Sequence, residues 1–231
     1  MRRFFSETNP LFAVFGKLVD IVYVSLLWLL FSLPLVTIGA SSTALYYTVT
    51  KVLRHERGYV WHEYVSAFKS NFKQSTLFWL IYLLIMTMLW MDIVIMGGDV
   101  SSIAPLAVLG RGLVLMQYLC ILFMAIATVI LIYALTYTAR FSLDTKHILS
   151  NSALLAIRHL PWSLLCLGIL VGSIALVGLL GLFLIISPGM AAMLHSIVLE
   201  RIYERYMSEE DRKLEDLRNH PEQYEYFNRN E

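Results

Sequence analysis

Charge is scarce in this chain. Asp, Glu, Lys and Arg make up 15% of its 231 residues and hydrophobic residues 58%, against about 25% and roughly 45–50% in soluble domains. That balance excludes an ordinary soluble domain and points to a protein that faces lipid. Cysteine is nearly absent: Cys120 and Cys166 both lie inside apolar runs, where a thiol reads as a small buried hydrophobe rather than half of a disulfide. No two of the six histidines stand three or four residues apart, which excludes the helical two-histidine metal motif. A glycine-rich phosphate loop is missing as well, since Gly178 and Gly181 fall within an apolar run and read as helix packing. With no nucleophile beside a base, no metal cluster and no phosphate cradle, the sequence predicts neither a catalytic centre nor a cofactor.

What the chain does have is long apolar runs, near 18–33, 76–96, 113–138 and 162–186. Each approaches or exceeds the roughly 20 residues that carry a helix across about 30 Å of hydrocarbon. Met1-Arg2-Arg3 leads toward the first run without a small-residue cleavage site, so that helix is expected to be retained. Lys and Arg near membrane ends favour the cytoplasm. Arg2, Arg3 and Lys17 precede the first run, and Lys51, Arg54, Arg57, Lys69 and Lys73 follow it. Both groups can be inside only if residues 18 to about 55 cross twice. Pro34 and Gly39 supply the turn, because proline ends a helix and glycine permits the reversal. The same reasoning makes 97–110 external, returns 113–138 to Arg140, Lys146 and Arg158, and reverses the chain again at Pro188 and Gly189. The expected fold is an all-α polytopic transmembrane bundle of about six membrane helices, two of them short, with both termini cytoplasmic.

Two further helices are expected to lie along the inner surface. Over 60–72, Trp61, Tyr64, Val65, Phe68 and Phe72 recur at spacings of three and four, and 146–158 alternates Ile148, Leu149, Leu154, Leu155 and Ile157 with Lys146, Asn151 and Arg158. Amphipathic helices of this kind sit in the headgroup boundary. An offset of 150 residues pairs Gly39 with Gly189 and Lys51 with Arg201, which reads either as a module of interfacial helix, long span, outer turn and short returning helix occurring twice or as convergence on a stable hairpin. Residues 1–206 read as the membrane domain and 207–231 as an acidic cytoplasmic tail, since ten of the 17 acidic residues fall from Glu200 onward.

Ionisable groups at membrane depth are functional candidates. Asp20 sits three residues after Lys17 and reads as its partner near the interface, and Asp92, near Trp90 at the outer end of its helix, reads as an interface residue. His195 lies in the short last helix, where a hydrogen bond to a neighbouring helix explains it as well as a ligand or a proton would. The segment Phe68-Lys69-Ser70-Asn71-Phe72-Lys73-Gln74 is the leading candidate contact surface. Phe68, Phe72, Lys69 and Lys73 would satisfy a lipid interface. Asn71 and Gln74 add directional hydrogen bonding, which either supports the next helix or engages a partner.

Several short motifs together resemble the YesL-like family of small bacterial membrane proteins, a family of unknown function. They include Asn9-Pro10, Leu27-Trp28 with Ser32-Leu33-Pro34, Thr37-Ile38-Gly39, Ala44-Leu45-Tyr46-Tyr47, Gly58-Tyr59, Phe68-Lys69, Asn71-Phe72-Lys73-Gln74, Ala156-Ile157-Arg158-His159-Leu160-Pro161 and Leu199-Glu200-Arg201. At Tyr137-Thr138-Ala139-Arg140-Phe141 the chain departs from a more proline-rich approach in related proteins. Proteins similar to this one tend to be encoded beside carbohydrate ABC-transporter components and membrane sensors. The resemblance therefore implies a non-catalytic accessory or regulatory role in carbohydrate uptake at the bacterial cell membrane, with the lipid bilayer and such a transporter or sensor as partners. A small secondary transporter is the competing expectation, and nucleic acid is not an expected partner.

Overall fold

The computed structural model describes residues 10–54, 58–97, 110–141 and 143–207. They form seven α-helices and no strand: α1 (Pro10–Phe31), α2 (Ile38–Thr48), α3 (Val60–Gly97), α4 (Gly110–Arg140), α5 (Thr145–Arg158), α6 (Leu160–Leu179) and α7 (Ser187–Tyr206). A 3-10 turn, Leu35–Thr37, joins α1 to α2, a π-helical stretch, Val49–Arg54, extends α2, and a second 3-10 turn, Gly181–Ile185, leads into α7. The acidic tail from 208 and the expected outer loop at 98–109 lie outside the described residues.

Among the described residues, three helices are long and apolar enough to cross a membrane: Val60–Met96, Gly112–Arg140 and Leu160–Leu179. Six were expected. α1 has 22 residues with Lys17 and Asp20 as its only charges, so composition does not set it apart from these three, whereas α2 and α7 differ from them. The α-helical part of α2 has 11 residues, about half of what a crossing needs. In α7 the last two turns carry Glu200, Arg201, Glu204 and Arg205. The three long helices differ in how much protein covers them. Only 6% of the apolar stretch of α3 and 11% of that of α6 is buried, against 44% for α4. Surface as apolar and uncovered as this suits a membrane or a partner protein; of the three, α4 is the central helix and α3 and α6 face outward.

A separate interfacial helix at 60–72 is not formed. Residues 60–97 are one helix of 38 residues, about 57 Å long at 1.5 Å per residue, because no proline or glycine interrupts Val60–Met96. The aromatic face expected in the headgroup boundary is instead turned against α1. Tyr64 is fully buried, and the Phe31 ring lies 5.4 Å from Tyr64 and 4.9 Å from Phe68, with Phe72 5.4 Å beyond Phe68. The second of these expected segments, 146–158, is a separate helix, α5. His159 leaves helical geometry at φ −115°, ψ 46° and Pro161 starts α6, so here the breaker that α3 lacks does separate the two helices. The run expected over 162–186 stops at Leu179, and Leu180 is extended at φ −138°, ψ 91°. The chain runs helically to Arg140 through the segment that departs from the proline-rich pattern.

Gly39 and Gly189 are contact positions rather than reversals. Both lie inside the first turn of a right-handed helix, and Pro188 sits at the start of α7, where its missing N–H costs nothing. A Cβ on Gly39 would lie 2.5 Å from Trp79 Cβ and 2.6 Å from the Ser75 carbonyl oxygen, and one on Gly189 2.6 Å from Ser25 Oγ and 2.8 Å from the Ile21 carbonyl oxygen. The helices meet backbone to backbone at these two points, the arrangement that small residues permit in membranes. Pro34 stays in the connection between α1 and the turn, extended at φ −75°, ψ 117°.

Candidate functional site: a cavity above a buried charge pair

α2, α4 and α7 converge on one carboxylate. Glu200 is 3% exposed. Its Oε1 accepts a hydrogen bond of 2.9 Å from the Tyr46 hydroxyl, and its Oε2 lies 2.5 Å from Arg140 Nη1. A charge this buried is tolerated only when paired and hydrogen-bonded, and here the partners come from two other helices. One turn further along α7, Tyr203 is fully buried with its hydroxyl 2.6 Å from Thr136 Oγ1 of α4. Thr136 gives its own hydrogen to the Ile132 carbonyl, so Tyr203 is the donor.

Next to this polar knot lies a cavity of about 460 Å³. Trp28 of α1, Ser42 and Tyr46 of α2, Trp79 and Tyr82 of α3, Thr128 to Thr136 of α4, Leu170 to Val177 of α6 and Ser187 to His195 of α7 contribute to its wall. Tyr46 and Thr136 belong to both features, so the cavity floor is the back of the charge pair. The wall carries aromatic rings and hydroxyls, but no carboxylate, lysine or arginine. Its hydrogen-bond donors are largely committed within the protein. Trp28 Nε1 donates to Ser42 Oγ, Trp79 Nε1 to the Leu35 carbonyl, Tyr46 to Glu200, and Ser173 to the Ile169 carbonyl. Thr128 donates to the Met124 carbonyl, which leaves its oxygen to accept from Tyr82 at 3.1 Å. His195 is buried, with Nε2 3.0 Å from the Cys166 carbonyl of α6. That is the neighbouring-helix bond its position allowed, now placed at the cavity wall.

The residues singled out by sequence are distributed differently. Lys69 and Lys73 are exposed and share one stripe of α3 with His62 and Ser66, while Phe68 and Phe72 are half-buried. The Asn71 amide donates to the Ala67 carbonyl of its own helix at 3.1 Å. The Gln74 amide donates to the Leu143 carbonyl at 3.0 Å and to Thr145 Oγ1 at 3.3 Å, which ties α3 to the start of α5. Asp20 is half-buried on α1 and Asp92 is exposed. Cys120 and Cys166 are both free and buried.

Sequence reasoning missed the charge pair, because Glu200 was counted with the acidic tail and Arg140 with the inner cations. A signal was available. Ser196, Glu200 and Tyr203 follow one another at spacings of four and three, and all are buried, whereas Arg201, Glu204 and Arg205 fall on the exposed side. Tyr46 and Glu200 also sit in two of the short motifs shared with the family the chain resembles.

Residues 21–93 match the sequence pattern of a family described as "Protein of unknown function, DUF624". The match covers much of α1, all of α2 and most of α3, and ends before α4 and α7 bring in Arg140 and Glu200. No curated protein and no solved structure matches the chain.

Proposed function

We propose that the protein is a non-catalytic accessory component of the bacterial cell membrane that holds a carbohydrate-uptake transporter or its sensor through the exposed stripe of α3. The observation that carries this reading is the unbroken course of α3. One helix places His62, Ser66, Lys69 and Lys73 on an exposed face and continues into a lipid-facing crossing. A face fixed to a membrane helix presents its charges in a set orientation, which favours a defined protein surface over diffuse attraction. The carbohydrate connection rests on the resemblance alone.

The positions of the cations support the proposed topology. Gln74 bonded at Leu143 and Thr145, and Ser163 within 3.3 Å of Tyr133, bring the first half of α3 beside the start of α5, and the last third of α4 beside the start of α6, which supports one shared end for these segments. Lys69, Lys73, Arg140, Lys146 and Arg158 belong to that end, which is therefore cytoplasmic in this reading. His159 Nε2, 2.9 Å from the Tyr206 hydroxyl, brings the end of α7 there as well. Arg2, Arg3 and Lys17 support a cytoplasmic amino terminus. In this arrangement α3, α4 and α6 cross fully, and α1, α2 and α7 pack among them.

A small permease is the second reading, and the cavity is what favours it. Sugar recognition requires several free donors and acceptors aimed at hydroxyls, and most of the donors in this wall are already used. The accessory reading is therefore preferred. It is tested with Lys69→Glu combined with Lys73→Glu, purified from native membranes in mild detergent. The expected outcome is normal membrane abundance with loss of co-purifying transporter or sensor subunits, identified by mass spectrometry. Undiminished recovery of those subunits, or their absence from the unmodified protein's preparation, overturns it.

A further inference from the structure

We propose that the cavity between α1, α2, α3, α4, α6 and α7 is a binding site for the hydrocarbon chain of a lipid, which enters by its chain end and leaves its headgroup outside. Three observations converge. The cavity is walled in part by the three membrane-crossing helices, through Tyr82, Leu131 and Ile174 among others, so its neighbours outside the protein are acyl chains. Its volume of about 460 Å³ is several times that of the apolar cavities of about 150 Å³ known to stay dry and empty. Walls around an unfilled space of this size forfeit their dispersion contacts. Water is a poor filler, because each buried water needs two to four polar partners and Trp28, Trp79, Tyr46, Tyr82 and Ser173 already spend their hydrogens inside the protein.

The same wall excludes other ligands. It has no lysine, arginine or carboxylate, so a phosphate or carboxylate headgroup would be buried without a counter-charge, at a cost no hydrocarbon contact offsets. A saturated or monounsaturated chain asks for no polar partner. Its rotational freedom matches a pocket lined by both flat rings and branched side chains. The chain can come from a bilayer phospholipid or from a free fatty acid, and the recognised chemistry is common to both.

Trp28 and Trp79 stand in the wall and make the proposal measurable. The full chain, with Trp61, Trp90 and Trp162 replaced by Phe, is reconstituted into phosphatidylcholine vesicles, leaving only the two cavity tryptophans. Stearic acid carrying a nitroxide at carbon 16, or phosphatidylcholine carrying the same label on one chain, is then titrated in while tryptophan emission is recorded. The expected result is a saturable loss of emission at low label content, reversed by unlabelled lipid of the same kind, and the label that produces it identifies the source. Ala191→Phe, which fills the cavity from α7, should remove the saturable part, leave only the shallow quenching by surrounding lipid, and raise the melting temperature. Ser173→Phe does the same from α6 and serves if Ala191→Phe fails to accumulate. Quenching that stays linear in label content for both probes overturns the proposal, and so does a saturable part unchanged in both filled variants. None of these readouts involves Lys69, Lys73 or a partner protein, so this site and the contact surface fail independently.

Discussion

The two returning helices, α2 and α7, follow one plan and are anchored by different physics. Each comes after a 3-10 turn and places a glycine in its first turn against another helix. The π-helical continuation of α2 carries a partly exposed pair, with Lys51 Nζ 2.7 Å from Glu63 Oε2 and 3.2 Å from the Tyr47 hydroxyl. α7 turns its one buried charge inward, to Arg140 and Tyr46. A partly exposed ion pair contributes little to folding, while a fully desolvated one punishes the loss of either member. The second helix therefore brings a buried charge of its own to the core, to which the first contributes only the Tyr46 hydroxyl.

Removing that chemistry should have the largest effect. Glu200→Ala breaks the buried pair with Arg140 and removes the acceptor of the Tyr46 hydroxyl, and is expected to cost about 3–5 kcal/mol, seen as a steep fall in melting temperature and yield in detergent. Glu200→Leu with Arg140→Met should recover much of that loss, since neither charge then remains. A double variant as unstable as the single one would show that the pair does more than compensate itself.

The glycine contacts come next. Gly39→Val drives a branched side chain into the Ser75 carbonyl and Trp79, so a loss at or above the usual overpacking range of about 1–3 kcal/mol is expected. Gly98→Val, at a position outside the described residues, should be milder. Gly189→Ala should cost less than Gly39→Ala, because its nearest obstacle is the Ser25 hydroxyl, whose rotation can relieve part of the clash. Equal thermal stabilities of the two alanine variants would erase the distinction between these contacts.

Lys51→Ala should change stability by less than about 1 kcal/mol, as partly exposed pairs do, and that small value against Glu200→Ala is the sharpest form of the comparison. The weakest effect concerns pH. Partial burial, then the charges of Arg158 and Arg205, holds the His159 imidazole below its ordinary range. The unfolded chain therefore binds the proton more readily. Any stability this histidine contributes is present above the ordinary pKa of about 6.5 and declines as pH falls below it. Melting curves at pH 7.5 and 5.5 should show a smaller acid loss for His159→Gln than for the unmodified protein, and identical losses would rule His159 out.

Much of the helical layout was legible in the sequence because lipid imposes it. Apolar length located α3, α4 and α6, and Pro161 marked the break between α5 and α6. The seam placed near residue 75 had no such warrant: Ser75 and Thr76 change the polarity of α3 without offering a breaker, and composition was mistaken for a boundary. Gly39 and Gly189 were found as a pair, but what they do is visible only once Ser75 and Ser25 are beside them. The charge pair was hidden for a related reason. Arg140 and Glu200 are 60 residues apart, and nothing local tells a buried carboxylate from the exposed Glu204 one turn later except its register with Ser196 and Tyr203.

Because no proline or glycine interrupts Val60–Met96, one rigid helix serves two places at once. Lys69 and Lys73 stand on one side of its contact with Gly39, at Ser75 and Trp79, and Tyr82, in the cavity wall, on the other. The exposed stripe and the cavity therefore share a single structural member, and the register of one fixes the register of the other.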